Sequence, residues 1–162
     1  MKTTNHLVLF WASREIYSNW HLASFEVKGV RFNCTEQLMM YRKAMLFGDT
    51  ETAQAILAEP SPRAQKALGR KVRGFEEALW CAHREHIMFD GCYAKFSQNP
   101  ALKAELLATG ERVLVEASPD DRIWGIGLHE TDARAHDPAQ WQGLNLLGKA
   151  LMQVREALAF PG

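Results

Sequence analysis

Leu7-Val8-Leu9-Phe10-Trp11 is an unbroken apolar run, short and β-friendly, which predicts a strand over residues 7–11. Phe25-Glu26-Val27 and Val30-Arg31-Phe32 alternate around Lys28-Gly29, the pattern of two short strands joined by a turn within residues 24–32. From Asn33 the period changes and predicts a helix to about Phe47. Two short helices are expected over Glu51–Ala58 and Pro62–Arg70, parted at Pro60-Ser61-Pro62. Phe75–Ser97 has the longest helical pattern, with Phe75, Leu79, Ala82, Phe89 and Phe96 as the expected core stripe. Pro100–Thr109 follows, stopped by Gly110, and then a strand over Arg112–Glu116. After a glycine-rich loop, Leu144, Leu147, Leu151, Val154 and Leu158 mark one face of a last packed helix. The prediction is a mainly helical α+β fold. No repeat, low-complexity tract or linker divides the chain, so a single domain over residues 1–162 is expected, with its core at about 10–159.

The segment Thr35–Phe47 departs from an ordinary amphipathic helix. Its apolar residues point in nearly every direction, which marks a helix enclosed on most sides. Glu36 and Lys43 are seven positions apart and fall within about 20° of each other on the wheel, on one stripe with Met40 and Phe47. Charge is costly to desolvate unless it is paired or used, so an acid and an amine on an apolar stripe suggest a pocket. A plainer reading competes with this one. Asn33-Cys34-Thr35-Glu36 fits a capping box, with Asn33 as the cap and Glu36 reaching back to its amide, while Lys43 extends to solvent.

Composition narrows the field without deciding it. The chain is 47% hydrophobic and 23% charged with a formal net charge of zero, an ordinary globular mix with no general affinity for polyanions. Cys34, Cys81 and Cys92 are an odd number without CxxC spacing, which argues against a disulfide framework and a zinc site. Residues 1–11 lack the pattern of a secretory signal and no segment has the length of a membrane span, so a cytoplasmic protein without a membrane partner is expected.

Several short motifs occur in a fixed order: Ser18-Asn19-Trp20, Thr35-Glu36-Gln37 with Lys43, Leu68-Gly69-Arg70, Trp80 with Met88, and Lys95-Phe96. Leu106–Gly110 and Leu114–Ser118 come next, then Asp121-Arg122-Ile123-Trp124-Gly125-Ile126-Gly127 and Gly143-Leu144-Asn145-Leu146-Leu147-Gly148. Met152 and Arg155 close the series. Taken together, and above all in the last two motifs, the chain resembles the NADAR (YbiA-like) family from about Phe10 to the final helix. The resemblance implies a compact, mostly helical domain that cleaves N-glycosidic bonds, acting on early phosphorylated intermediates of riboflavin synthesis or on ADP-ribose attached to guanine. By position it carries functional roles onto Glu36, Lys43, Trp80, Asp121 and Trp124. The sequence departs from the family where Gln37 replaces a common His, where Trp20 replaces a common Phe, and in a longer stretch from His129 to Trp141.

Those residue types suit the reaction. Breaking a ribose–nitrogen bond builds positive charge on the anomeric carbon and leaves a base in need of a proton. Glu36 can donate that proton and then act as base toward water, and an apolar surround would favour its protonated form. Lys43 can attack the sugar aldehyde carbon as an imine-forming nucleophile, or else hold phosphate or tune Glu36. Trp80 and Trp124 offer ring faces on which a base stacks, worth about 1–3 kcal/mol by analogy with nucleic-acid platforms. Asp121 can accept from an amino or hydroxyl group. On pattern alone each Trp reads as core and Asp121 as a turn residue after Pro119-Asp120.

Trp80, Arg84, Met88, Gly91 and Lys95 share a helix face about 80° wide, so Arg84 and Lys95 are candidates for phosphate, with a solvated basic edge as the rival. Asn19 is a candidate ligand contact, with an Asn turn as the rival. His83 and His86 lack the further ligands of a metal site, and Gly125-Ile126-Gly127 lacks the third glycine of a dinucleotide loop. No metal or cofactor is expected. Three functions compete: a glycosidase for phosphorylated pyrimidine ribosides of the flavin pathway or for an ADP-ribosyl small molecule, an enzyme removing ADP-ribose from guanine in nucleic acid, and a non-catalytic nucleotide sensor. The second needs a basic groove, for which Arg63, Lys66, Arg70, Lys71 and Arg73 are candidates. Glu36 and Lys43 together weigh against the third.

Overall fold

In the computed structural model residues 1–160 are described; the expected domain runs to Gly162, and Pro161 and Gly162 lie outside the described residues. The strands are β1 (Lys2–Thr3), β2 (Leu7–Phe10), β3 (Phe25–Val27), β4 (Val30–Phe32) and β5 (Val113–Glu116). The helices are α1 (Thr35–Leu46), α2 (Thr50–Ala58), α3 (Pro62–Gly69), α4 (Glu77–Gln98), α5 (Pro100–Ala108) and α6 (Leu146–Ala159). The fold is α+β and mainly helical. Every element expected from the sequence is present within a few residues, and β1 with two short 3-10 turns (Ala133–His136 and Pro138–Gln140) are additions. Two compact units result: Asn19–Asn99, and Met1–Ser18 with the described residues from Pro100 onward.

In the second of these, β2 is flanked by β1 antiparallel and β5 parallel, with Leu7 opposite Val113 and Phe10 opposite Glu116. All four residues of β2 are buried, as a strand covered on both faces requires. Leu7, Leu9, Val115, Ala117, Ile126, Leu128 and Ala135 form the core there, joined by Trp141, whose indole N–H donates to the Ala135 carbonyl at 2.8 Å. The longer stretch from His129 to Trp141 is therefore fastened to the core at Ala135 and Trp141, while most of its other residues are exposed.

The glycines and Asn145 of the two motifs in this unit are scaffolding. Asn145, in the left-handed region at φ 53°, donates from Nδ2 to the Leu114 carbonyl and accepts at Oδ1 from the Glu116 amide, both at 3.0 Å. Its carboxamide thus does the work of one strand residue along the outer edge of β5. A Cβ on Gly148 would collide with the Leu114 carbonyl, so only glycine lets α6 approach this closely. Carbonyls of Ile123 and Trp124 accept from the amides of Leu146 and Leu147, which satisfies the first turn of α6. Leu144, expected on the packed face of that helix, lies before it and is exposed; Leu147, Leu151, Val154 and Leu158 are buried as expected.

In the unit Asn19–Asn99, β3 and β4 form a hairpin over Lys28 and Gly29, both at positive φ, the geometry a two-residue turn demands. α1 packs against α2, α3 and α4, which explains its lack of a polar face. A Cβ on Gly69 of α3 would overlap the Met40 sulfur. A Cβ on Gly91 of α4 would meet Thr35 and Leu38 at 3.0 and 3.1 Å. These two glycines set how closely the helices seat against α1.

The contact at Gly91 reverses the expected orientation of the long helix. The face bearing Trp80, Met88, Gly91 and Lys95 turns inward, while Phe75, Leu79 and Ala82 are exposed, Phe89 is half-buried and only Phe96 of the expected core stripe is buried. Close approach at glycine outweighed the larger apolar side chains. Phe75 also precedes the helix, which starts at Glu77.

Candidate active site

α1 begins at Thr35, and its first turn does not form the expected capping box. Cys34 occupies the cap position and makes no side-chain cap bond. The Asn33 amide instead donates to Gln37 Oε1 at 2.7 Å, one residue beyond Glu36. Gln37 Nε2 also donates to the carbonyls of Ile56, Leu57 and Glu59, fastening the end of α2. Gln37 therefore takes the reach-back role, and the Glu36 side chain is released from it. Glu36 is 4% exposed, and its backbone amide donates to the Asn19 carbonyl at 3.0 Å.

Lys43 is in the last turn of α1, half-buried. Its Nζ lies 4.8 Å from the Phe75 ring centroid and 5.7 Å from that of Trp80, over both rings. Burial pushes its pKa down; the Glu36 carboxylate opposes this and the Arg70 guanidinium adds to it. Glu36 and Lys43 thus sense each other along α1, and Lys43 does not simply extend to solvent.

Other members of the unit bring unused hydrogen-bonding capacity. Asn19 Oδ1, Thr35 Oγ1 and Arg84 Nε are buried without a hydrogen-bond partner. Buried polar atoms are ordinarily satisfied, so such atoms mark places where a ligand or water completes the set. Arg84 is half-buried, one turn after Trp80 on α4. Lys95 is neither part of a solvated edge nor placed to bind a phosphate beside Trp80. It is fully buried, its pKa pushed down to about 8 by burial, and fifteen residues of helix put it about 22 Å along the axis from Trp80.

Asp121 and Trp124 belong to the other unit. Asp121 Oδ1 accepts from the amides of Ile123 and Trp124 at 2.9 and 2.8 Å, so this oxygen makes the turn that the plainer reading expected; Trp124 is half-buried. Of the residues singled out from sequence, the structure brings together Glu36, Lys43 and Trp80, with Asn19 against the start of α1 and Arg84 on the helix of Trp80. Phe75 and Arg70 were missed as neighbours of Lys43. Gly74, at φ 77°, was the available signal that the chain turns before α4 and frees Phe75 from its stripe.

Comparison with known proteins agrees with this architecture. The NADAR domain profile matches residues 9–159. The chain is 41% identical to Protein irg-1 of Caenorhabditis elegans, over 96% of this chain and 81% of that one. It is 43% identical to N-glycosidase R617 of Acanthamoeba polyphaga mimivirus, over 90% and 88%. Riboflavin biosynthesis protein PYRR, chloroplastic, of Zea mays is 35% identical over 67% of this chain, a match covering 16% of that protein. The NMR structure of Escherichia coli YbiA superposes with a TM-score of 0.79 at 27% identity, covering 98% of this chain and 88% of that one. With the profile spanning nearly all of it and the fold shared, the chain belongs to the NADAR domain family.

Proposed function

We propose that this N-glycosidase, a hydrolase of N-glycosyl bonds, cleaves the bond between a base and ribose phosphate, with early riboflavin-pathway intermediates as its substrates. The observation that carries the reading is the pairing of a buried carboxyl group, Glu36, with an amine, Lys43, held between aromatic faces on the same helix. The relatives named N-glycosidase R617 and YbiA support the reaction, and the match to PYRR supports the riboflavin connection.

Glu36 protonates the departing base as the carbon–nitrogen bond breaks, and its carboxylate then takes a proton from the incoming water. Lys43 acts covalently: its neutral amine bonds to C1 of the sugar as the base leaves. The ring opens with its oxygen taking up a proton, leaving an imine between Nζ and C1. Water then adds to C1 and the carbon–nitrogen bond breaks, freeing the sugar and the amine. Trp80 presents a face to the base, while Asn19 and Arg84 supply an acceptor and a donor left open by the protein. Asp121 and Trp124 are retained as substrate contacts on the family resemblance alone.

A second reading, removal of ADP-ribose from guanine in nucleic acid, is favoured by Arg70, a cation acting directly on Lys43 at the end of α3, with Arg63 and Lys71 exposed nearby in sequence. Of the five basic residues expected for a groove, Arg73 is engaged by Asp49 and Glu51. One experiment addresses both readings: the protein is incubated with a riboside phosphate of the flavin pathway and with ADP-ribosylated guanine DNA, and released base is measured. Turnover of the first is expected; turnover of the DNA alone overturns the substrate assignment, and turnover of neither overturns both.

A further inference from the structure

The segment between α3 and α4 runs from Arg70 to Glu76, and one buried carboxylate anchors it. Asp49, at the junction of α1 and α2, accepts from the Arg73 backbone amide at 2.9 Å and from its guanidinium at 2.8 Å. It accepts also from the Thr52 amide and hydroxyl at 3.1 and 2.6 Å. The Arg73 guanidinium holds the Asp49 carboxyl well below its usual range, so the clamp stays charged across ordinary pH. Gly74 follows at φ 77°, and the chain then delivers Phe75 with its ring 5.3 Å from Phe47 and 4.8 Å from Lys43 Nζ. Phe75 remains 44% exposed, a large ring left at the surface by a segment that is tightly fixed.

We propose that Phe75, held in place by the Asp49–Arg73 clamp, is a positioning residue whose ring covers the Lys43 amine and sets its balance between ammonium and free amine. This inference rests on Lys43 as the reacting amine, which the preceding reading assigns. A ring face stabilises a cation above it, and the same ring excludes water, which favours the neutral form. The charged groups acting on the amine are Glu36 of α1, which favours the ammonium, and Arg70 at the end of α3, which disfavours it. Asp49 and Glu51 at α2 are engaged by Arg73, and Arg42 of α1 pairs with Asp90 of α4 at 3.2 Å. Trp80 supplies the second ring face from α4.

The two influences of Phe75 are separable by substitution. Phe75→Leu keeps apolar cover and loses the ring, so the amine becomes harder to protonate. Phe75→Ala admits water; because burial is the largest influence on Lys43, the amine moves back toward ordinary lysine. Arg73→Ala releases the segment and follows Phe75→Ala, and Phe75→Tyr restores the parent behaviour. The measurement is the pH dependence of reductive methylation at Lys43 by formaldehyde and cyanoborohydride, resolved by peptide mass spectrometry on the full chain. An apparent pKa lower by about half to one unit in Phe75→Leu, and higher than the parent in Phe75→Ala, is expected. A Phe75→Leu profile at or above the parent overturns the inference. No substrate is used, so this result stands apart from failure of the glycosidase assignment, which is read from base release.

Discussion

Glu36 and Lys43 lie seven positions apart on α1, and the carboxylate of the first draws the amine of the second toward its charged form while burial pushes it the other way. The proposed acid and nucleophile thus share one rigid element and are placed by helix geometry instead of by loop conformation. The roles proposed for them are separable, so removing each is expected to produce a different failure.

Glu36→Gln keeps the shape and the hydrogen-bonding capacity of the side chain and loses the transferable proton. Base release is expected to slow by roughly 100- to 10,000-fold, the usual worth of general acid–base catalysis, with little change in KM. Steady-state kinetics on the released base check this; a change confined to KM would assign Glu36 to binding.

Lys43→Arg keeps a cation and removes the nucleophile. Borohydride added during turnover is expected to leave the sugar on Lys43 in the parent and nothing at this position in the variant, read by intact and peptide mass. An unmodified Lys43 in a parent protein that still releases base excludes the covalent route.

The pH dependence follows from the direction of the Lys43 shift. Its pKa is lowered, so the free amine is populated at lower pH than in an ordinary lysine. The rate at which acetic anhydride acylates Lys43, a reaction that needs no proton from Glu36, rises with pH through that lowered value and levels off above it. A rising limb at the usual lysine range near 10.5 would show an amine that is not desolvated.

Lys95 has a stability signature of its own. Burial lowers its folded-state pKa to about 8 from 10.5, so below pH 8 the folded chain carries a buried charge that the unfolded chain hydrates freely. Between about 8 and 10.5 the unfolded state binds more protons, and stability rises with pH by on the order of 3 kcal/mol. Urea unfolding at pH 7 and pH 10 should show this gain in the parent and its loss in Lys95→Met. Equal pH dependence in both proteins would show that Lys95 is not the source.

Gly69 and Gly148 make a graded pair. A Cβ at Gly69 meets the end of a Met40 side chain that can move, so Gly69→Ala should cost about 1–3 kcal/mol. At Gly148 it meets the Leu114 carbonyl in a strand that cannot yield, and the cost should exceed about 3 kcal/mol. Chemical denaturation of both variants gives the order; equal costs would contradict the rigid contact at β5.

The elements of this fold are readable from period and turn residues because those signals are local. The Lys28-Gly29 turn and the Pro60-Ser61-Pro62 break fall where the sequence places them. The inward face of α4 is not readable that way. It is decided by a glycine, Gly91, against which Thr35 and Leu38 seat, and hydrophobic weighting assigns a glycine no preference. Similarly, Asn33 and Glu36 satisfy a capping-box pattern, yet Gln37 makes the bond to the Asn33 amide because it also reaches three carbonyls at the end of α2. The stripe joining Glu36 and Lys43 was legible from helix geometry alone. Phe75 was not, since its place depends on a clamp between residues twenty-four positions apart.

Asn145 has a consequence for how molecules of this protein meet. β5 ends its sheet, and an end strand with open amides and carbonyls invites a strand from another chain. Here the Asn145 carboxamide occupies the Leu114 carbonyl and the Glu116 amide, and the Ile126 amide occupies the Glu116 carbonyl. Three of the groups on that border are already taken from within, which leaves little for a second strand continuing the ladder across β5.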